Sequence, residues 1–180
     1  MKATGIVRRI DDLGRVVIPK EIRRTMRIRE GDPLEIYTDR DGEVIFKKYS
    51  PIGSLSDFAS QYAETLTKTC GFPVAITDKD SIIAVSGASR KELMEQRVSP
   101  DMEKLMEDKM HFVSEESGKP LYVTEASGKY MAGVVSPIIA EGDIIGNVVI
   151  MKDDESRKIT EVETKLAQTA SMFLGKQMEI

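Results

Sequence analysis

Short β-branched runs alternate with turn residues through the first 50 positions of this chain. Residues 4–10 and 15–18 predict two strands, joined by an Asp-Asp-Leu-Gly turn whose glycine can take a positive φ. Residues 34–38 and 43–48 predict a second pair of strands, because the Asp-Gly step between them is a strong hairpin signal. We therefore expect two β-hairpins in this part of the chain.

One short helix is predicted between the two hairpins. Pro19 suits its first position, since the N–H that proline lacks would be unpaired there. Ile22 and Met26 lie four residues apart and define the inner face of the helix, and basic residues occupy its outer face. These basic residues are Lys20, Arg23, Arg24 and Arg27.

The core that these elements can form is small. A unit of this length is marginal without a disulfide, a metal or a partner, and the first 50 residues contain neither cysteine nor histidine. We therefore expect residues 1–50 to form a homodimer.

The remaining residues follow the pattern of an antiparallel α+β domain. Apolar residues recur at three- and four-residue spacing over 54–69 and 158–178, which predicts a long helix at each end. The strands are expected at 74–77, 82–85, 121–124, 131–140 and 144–151, and two short helices at 89–96 and 100–109. This order favours a sheet with its helices gathered on one face. The wide apolar stripes of the two long helices leave two arrangements open: packing on their own sheet alone, or additional pairing with a second subunit in a helical bundle.

Charge divides the chain near residue 50. Residues 1–50 have a net charge of +3 and residues 51–180 a net charge of −7. The Pro, Gly and Ser residues at the junction are typical of a short connector. We predict a first domain at 1–50, a linker at 51–55 and a second domain at 56–180.

The positive charge is concentrated further within the first domain. Residues 1–29 contain nine Lys or Arg against three acidic residues, and seven of the nine are arginine. A local excess of this size in a chain of net charge −4 favours a polyanionic partner. Arginine's planar fork suits phosphate groups and guanine edges, so nucleic-acid binding is predicted.

The composition offers little for catalysis or metal binding. His111 and Cys70 are the sole histidine and cysteine, and the sequence has no CxxC, HxxxH or phosphate-binding glycine motif. We predict no enzyme activity, no metal site and no cofactor, and a structural thiol at Cys70 in preference to a redox sensor. The sequence has no apolar run of membrane-spanning length, so a cytoplasmic protein is expected.

Three local features each allow a functional and a structural interpretation. Asp11 and Asp12 could imitate a catalytic carboxylate pair, but a turn in a basic region is favoured. Residues 86–89 could approach a ligand, or form a turn in which Ser89 and Glu92 make a capping box, and the capping turn is favoured. The methionines of the helical region could line an adaptable pocket or fill a core, and core filling is favoured; they are Met94, Met102, Met106 and Met110.

A specific family resemblance covers the basic region. The stretch LGRVVIPKEIRRTMRIREGDPLEIY, preceded by TGIVRR, resembles the AbrB-type swapped-hairpin DNA-binding domain of bacterial transition-state regulators. The resemblance implies a β-barrel formed by two chains, with each protomer's strands completing the other's sheet. It implies DNA contacts by arginines at the positions of Arg8, Arg15, Arg23 and Arg24. Arg9 and Arg27 are further basic candidates of lower rank.

The acidic second half resembles a GAF domain, a small-molecule sensor fold, although periodicity alone does not separate it from a PAS domain. The whole chain is similar to sporulation regulators with this arrangement. The resemblance implies a regulator, activating and repressing, that binds double-stranded promoter DNA, dimerises through the first domain and forms a tetramer through its C-terminal helices. A small-molecule ligand is an open question, and no membrane partner is expected. Two alternatives are an antitoxin-like protein whose C-terminal half binds a protein partner, and an enzyme that hydrolyses a nucleotide or small ester.

Overall fold

The computed structural model describes residues 4–115, 118–126, 128–152 and 157–179. The chain divides into two compact units, Met1–Tyr49 and Ser50–Ile180. Residues 51–55, for which the sequence predicts a linker, include a 3₁₀ helix at Ile52–Leu55. Ile52 is fully buried in the core of the second unit, so this segment is more than a solvated connector.

The first unit contains one helix and one regular hairpin. Helix α1 (Lys20–Met26) is followed by strands β1 (Leu34–Thr38) and β2 (Val44–Lys48), which pair antiparallel as predicted. Pro19 precedes the helix with ψ at 149°, so the prediction that it occupies the first helical position is wrong by one residue.

The strands predicted at 4–10 and 15–18 are not regular strands in the described part of this single chain. A backbone hydrogen bond from Asp11 to the carbonyl of Arg15 closes the turn between them at 3.0 Å. A β-strand requires a neighbouring strand that exchanges further backbone hydrogen bonds with it. Within the described part of one protomer, residues 4–10 and 15–18 lack such a neighbour.

The apolar side chains of the first unit are largely exposed. Both strands of the hairpin have burial patterns that contain no fully buried residue. Pro19 is buried, but large apolar side chains throughout the unit are more than half exposed. They are Val7, Ile10, Leu13, Val17, Met26, Ile36 and Val44. An isolated unit of this size that buries so little apolar surface cannot offset the conformational entropy lost on folding.

The second unit is built on a five-stranded antiparallel sheet in the order β4-β3-β7-β6-β5. Its strands are β3 (Val74–Thr77), β4 (Ile82–Ser86), β5 (Phe112–Val113), β6 (Ala132–Ala140) and β7 (Asp143–Met151). Its helices are α2 (Ser56–Cys70), α3 (Arg90–Leu93), α4 (Pro100–Glu107) and α5 (Glu161–Gln177). The α+β class predicted from the sequence is confirmed.

Helices cover both faces of this sheet, so the prediction that they gather on one face is wrong. Helices α2 and α5 share a core with Val74 and Ile76, while α3 and α4 share a separate core with Ala75. Neighbouring residues of a strand point to opposite faces, so the alternation of these three residues places the two cores on opposite sides. All four residues of β3 are buried, which removes the polar alternation that marks a half-exposed strand.

Two predicted elements of the second unit differ from the structure. Residues 121–124 form isolated bridges at Tyr122 and Thr124 in place of a strand, and the short strand β5 precedes them. The capping box predicted for Ser89 and Glu92 is absent from α3, where Ser89 makes no side-chain cap. The Glu92 carboxylate instead accepts a hydrogen bond of 2.5 Å from the Tyr130 hydroxyl, which is distant in sequence.

A capping box does form at the start of α5. The Thr160 hydroxyl accepts from the backbone N–H of Val162 at 3.2 Å, and the Glu163 carboxylate accepts from the Thr160 N–H at 2.8 Å. Burial acts to raise the pKa of Glu163, but hydrogen bonds from Thr160 outweigh it and hold that pKa below 4.5. The ionised carboxylate is therefore part of the folded structure at neutral pH.

We expect Thr160→Ala to lower the free energy of unfolding by about 1 kcal/mol, because it removes the cap from a long helix. A lowered pKa gives a contribution that is present above 4.5 and is lost as pH falls through the folded value. The difference from the parent should therefore shrink as pH falls below 4.5. Denaturant titration at pH 7 and pH 3 measures both effects. Thr169→Ala, at an exposed position within the same helix, is the matched control and should change stability by less than about 0.5 kcal/mol.

Among the described residues, the helices are all too short or too polar to cross a membrane.

Candidate nucleic-acid interface

The six arginines predicted to bind DNA all lie in the first unit, and five are exposed. Arg8 and Arg9 precede the turn at 11–14, Arg15 follows it, and Arg23 and Arg24 lie in the last turn of α1. Within the described residues, no hydrogen bond or ion pair engages the guanidinium groups of Arg8, Arg9, Arg23 and Arg24. Four exposed cations without protein partners can each donate hydrogen bonds to a phosphate oxygen.

Arg27 differs from the other five. It is half-buried and caps α1 in the left-handed conformation, with φ at 51° and ψ at 39°. Its carbonyl accepts a 2.9 Å hydrogen bond from Lys48 Nζ, which also lies 3.5 Å from the Asp32 carboxylate. The backbone of Arg27 therefore helps to join α1 to the hairpin.

Asp11 organises the turn between Arg9 and Arg15. One carboxylate oxygen, Oδ1, accepts from the backbone N–H of Leu13 at 3.0 Å and of Arg15 at 2.8 Å. The other, Oδ2, accepts from the Arg15 side-chain Nε at 2.9 Å. Gly14, with φ at +76°, completes the turn by donating its N–H to the Asp11 carbonyl. These contacts give Asp11 a structural role in the turn.

The electrostatics of the turn follow from these bonds. Hydrogen bonds from the Arg15 backbone, and then from its side chain, hold the pKa of Asp11 below its usual value of 3.8 although partial burial opposes them. The carboxylate is therefore ionised at neutral pH, and it offsets the charge of Arg15. The sequence alone predicts only a turn role for Asp11. The sequence feature that could have indicated its contact with Arg15 is the position of Asp11 four residues before that arginine, across a tight turn.

The second unit brings together a serine and the sole histidine, a pairing that no sequence motif predicts. Ser136 Oγ lies 3.2 Å from His111 Nδ1 and 2.7 Å from Ser171 Oγ. Ser136 is fully buried between β6 and α5, so its hydroxyl cannot reach a substrate in this conformation. Ser171 is also buried and His111 is exposed, so the histidine lies at the surface end of this hydrogen-bonded cluster.

Two further candidates from the sequence have structural surroundings. Gly87, in the loop at 86–89, has φ at +74°, and an added Cβ would lie 2.8 Å from Thr67 Cγ2 and 3.0 Å from Pro73. The loop therefore packs closely on α2 and the start of β3. Cys70 is half-buried and accepts a hydrogen bond from the Phe72 N–H at 3.4 Å.

Two surface pockets border α4. The larger, of about 410 Å³, is lined in part by Leu105, Met110 and Phe112, and the smaller, of about 290 Å³, by Tyr122 and Thr124. Met102 and Met106 are buried in the core and Met94 packs against it, so three of the four methionines fill core space as predicted, and Met110 is exposed. Within the described residues, no group of three or more side chains is arranged to bind a metal ion.

Comparison with known families agrees with the division of the chain. The family described as "Stage V sporulation protein T C-terminal, transcription factor" matches residues 54–179, and "Antidote-toxin recognition MazE, bacterial antitoxin" matches residues 7–54. Stage V sporulation protein T of Bacillus subtilis (strain 168) is 52% identical over 179 residues, covering 99% of both chains.

This chain belongs to the stage V sporulation protein T family.

Other similar proteins match only part of this chain. The transition state regulatory protein AbrB of Bacillus subtilis (strain 168) is 65% identical over 51 residues, which cover 28% of this chain and 52% of that protein. The similarity to AbrB thus lies in the basic first part. The GAF domain of a phosphoenolpyruvate-protein phosphotransferase from Coxiella burnetii is 17% identical, with a TM-score of 0.56 over 69% of this chain and 82% of that one. That similarity confirms the GAF-like fold of the second unit.

Proposed function

We propose that this protein is a DNA-binding transcription regulator of sporulation-stage genes, with activating and repressing roles, and that it works in the bacterial cytoplasm. Membership of the stage V sporulation protein T family and 65% identity of the basic region to AbrB support this function. The observation that carries it is the set of exposed guanidinium groups at Arg8, Arg9, Arg23 and Arg24, unpaired within the described residues. Such groups bind a polyanion without first breaking contacts to the protein.

A second copy of the chain completes the DNA-binding unit in this proposal. The apolar side chains of the first unit need a cover, and the runs at 4–10 and 15–18 need strand partners. An identical unit supplies both, as the swapped-hairpin resemblance implies. The domain at 1–50 would then present two sets of Arg8, Arg15, Arg23 and Arg24 to one duplex, with Arg9 and Arg27 at lower rank.

The second domain joins these dimers into a tetramer. Helices α2 and α5 share an aromatic cluster in which Tyr62 and Phe173 stack with ring centres 5.6 Å apart and Phe58 lies about 6 Å from each. Phe173 is 41% exposed and the adjacent Met172 is 68% exposed. An apolar helix pair of this kind can pack against its copy in a bundle. A small-molecule signal at the GAF-like domain would alter the spacing of two DNA-binding units and so their joint affinity.

Selection and titration on the full chain test the function. The wild-type protein should enrich a subset of duplexes from a random-sequence library of about 30 base pairs. Its log affinity should fall linearly with log salt concentration, with a slope of about −0.9 for each phosphate neutralised. Native mass spectrometry of the same sample should show a tetramer. A protein that enriches no duplex and shows no salt-dependent binding would rule out the regulator.

The antitoxin alternative rests on the MazE match at residues 7–54. A folded second unit with two buried cores distinguishes this chain from a short unstructured tail that orders on a toxin. An antitoxin should be isolated from its own cells with a second protein in fixed stoichiometry. Isolation of the homo-oligomer alone would favour the regulator.

A further inference from the structure

The exposed arginines of the first unit are not equivalent, because in the described part of the chain the Arg15 side chain is held by a carboxylate and those of Arg8, Arg9, Arg23 and Arg24 are not. Arg8, Arg9, Arg23 and Arg24 have no side-chain partner within the described residues, so each can adopt many rotamers. The Arg15 side chain is tied through Nε to Asp11 Oδ2 at 2.9 Å, although 69% of that side chain is exposed. A surface ion pair of this kind adds little to the stability of the fold, so we look for its effect in the orientation of the Arg15 side chain.

The geometry of the contact decides which part of the guanidinium remains available. The bond to Asp11 uses Nε, and the terminal Nη1 and Nη2 groups have no other partner in the part of the chain that the structure describes. These two groups form the end-on fork that can donate two parallel hydrogen bonds. A fork of this kind matches O6 and N7 of guanine in the major groove, and also two oxygens of a phosphate.

The carboxylate itself is fixed more firmly than the arginine it holds. Its Oδ1 accepts from two backbone N–H groups, those of Leu13 and Arg15, within a turn closed by backbone hydrogen bonds. The orientation of Oδ2 is therefore set by the main chain. The Arg15 side chain that this oxygen holds therefore loses less conformational entropy when it binds DNA. It also tolerates misplaced hydrogen-bond acceptors less well than a free arginine does.

The pair has a further electrostatic consequence. Asp11 offsets the charge of Arg15, so this arginine attracts the DNA backbone less than the unpaired arginines do. Weak nonspecific attraction and a fixed fork are the properties of a residue that discriminates between base pairs. The flexible, unpaired arginines have the properties of phosphate contacts.

On this basis we infer that Asp11 is a positioning residue that holds Arg15 as the sequence-reading contact of the interface, while the unpaired arginines supply nonspecific affinity. This inference rests on the proposed function and deepens it. The recognised chemistry is a guanine edge in the major groove of a duplex. A phosphate contact by Arg15 is the competing outcome, and specificity measurements separate the two.

The test compares two affinities for each full-length protein: one for the duplex enriched by the wild type from a random library, and one for a scrambled duplex of the same length. Asp11→Asn retains an acceptor oxygen for the turn but removes the charge that holds Nε. We expect it to lower the ratio of the two affinities about tenfold, the reduction expected when a bidentate base contact is weakened. Binding to the scrambled duplex should stay constant or become tighter.

Asp12→Asn is the matched control, because it removes the same charge from the same turn without touching Arg15. It should leave the affinity ratio unchanged. Arg15→Lys provides a second approach that does not depend on the turn, since lysine keeps the charge but has no planar fork. It should lower the ratio to a similar extent, and adding Asp11→Asn to it should cause no further reduction.

An unchanged ratio in Asp11→Asn or in Arg15→Lys would overturn the inference, as would equal reductions from the Asp11 and Asp12 substitutions. A further reduction when Asp11→Asn is added to Arg15→Lys would also overturn it, because Asp11 would then act independently of the arginine. In all these cases the wild-type protein still binds DNA selectively and the proposed function stands. If the wild type itself does not bind, the proposed function fails, and this inference fails with it.

Discussion

Reversal of charge at Arg23 and Arg24 together should weaken DNA binding about a hundredfold or more. Both side chains are exposed in the last turn of α1, and neither has a partner within the described residues. Removal of two charge-assisted hydrogen bonds to phosphate, at about 1.5–3 kcal/mol each, accounts for this magnitude before any repulsion is counted. Gel-shift titration of Arg23→Glu/Arg24→Glu against a promoter fragment at several salt concentrations measures the weakening.

The slope of log affinity against log salt should also become shallower, by about 0.9 for each phosphate that the double variant no longer neutralises. The matched control is Arg90→Glu/Lys91→Glu, which makes the same charge change at an adjacent exposed pair in the second unit. That control should bind as the parent does, apart from a small uniform effect of net charge. Equal weakening in the two double variants would show that overall charge, and not a face on the first unit, governs binding.

Gly175→Ala should destabilise the second unit by about 2 kcal/mol or more. Alanine is favoured over glycine within a helix by about 1 kcal/mol, so propensity alone predicts the opposite sign. A Cβ at position 175, however, would overlap the carbonyl oxygen of Ile139 and lie 3.1 Å from its carbon. Backbone atoms of β6 cannot move aside as a flexible side chain can, so α5 must shift away from the sheet.

Thermal and denaturant unfolding of the full chain measure this effect. Gly128→Ala is the control, because its Cβ would meet only Tyr122 at 3.9 Å, an ordinary contact. It should change the free energy of unfolding by less than about 0.5 kcal/mol. A Gly175→Ala protein as stable as the parent would mean that α5 does not approach β6 as closely as the structure shows.

Local sequence signals predicted the elements that depend on near neighbours. The hairpin of β1 and β2 follows from an Asp-Gly turn, and the bounds of β3 agree with the prediction. Helix α1 and the long helices α2 and α5 were found from apolar spacing, with ends that differ by at most three residues. These features need only the preferences of turns, caps and periodic apolar faces.

Contacts between distant residues explain where the prediction was wrong. Glu92 meets Tyr130 across 38 positions, and this bond competes with the local capping box that the sequence favoured. Helices cover both sheet faces because α2 and α5 pack in one core and α3 and α4 in another, through contacts between residues distant in sequence. Neither fact is encoded in a short window of the sequence.

The sequence by itself determined that a basic, arginine-rich first part precedes an acidic α+β domain, because charge and periodicity are properties of the chain. It also contains the family resemblance from which DNA contacts by Arg8, Arg15, Arg23 and Arg24 are predicted. Only the tertiary structure decided that Asp11 holds Arg15, that Arg27 is half-buried at a helix end and that Gly175 abuts the backbone of β6. The physical reason is that orientation, burial and close approach depend on which atoms the folded chain brings together, and residue type alone does not specify them.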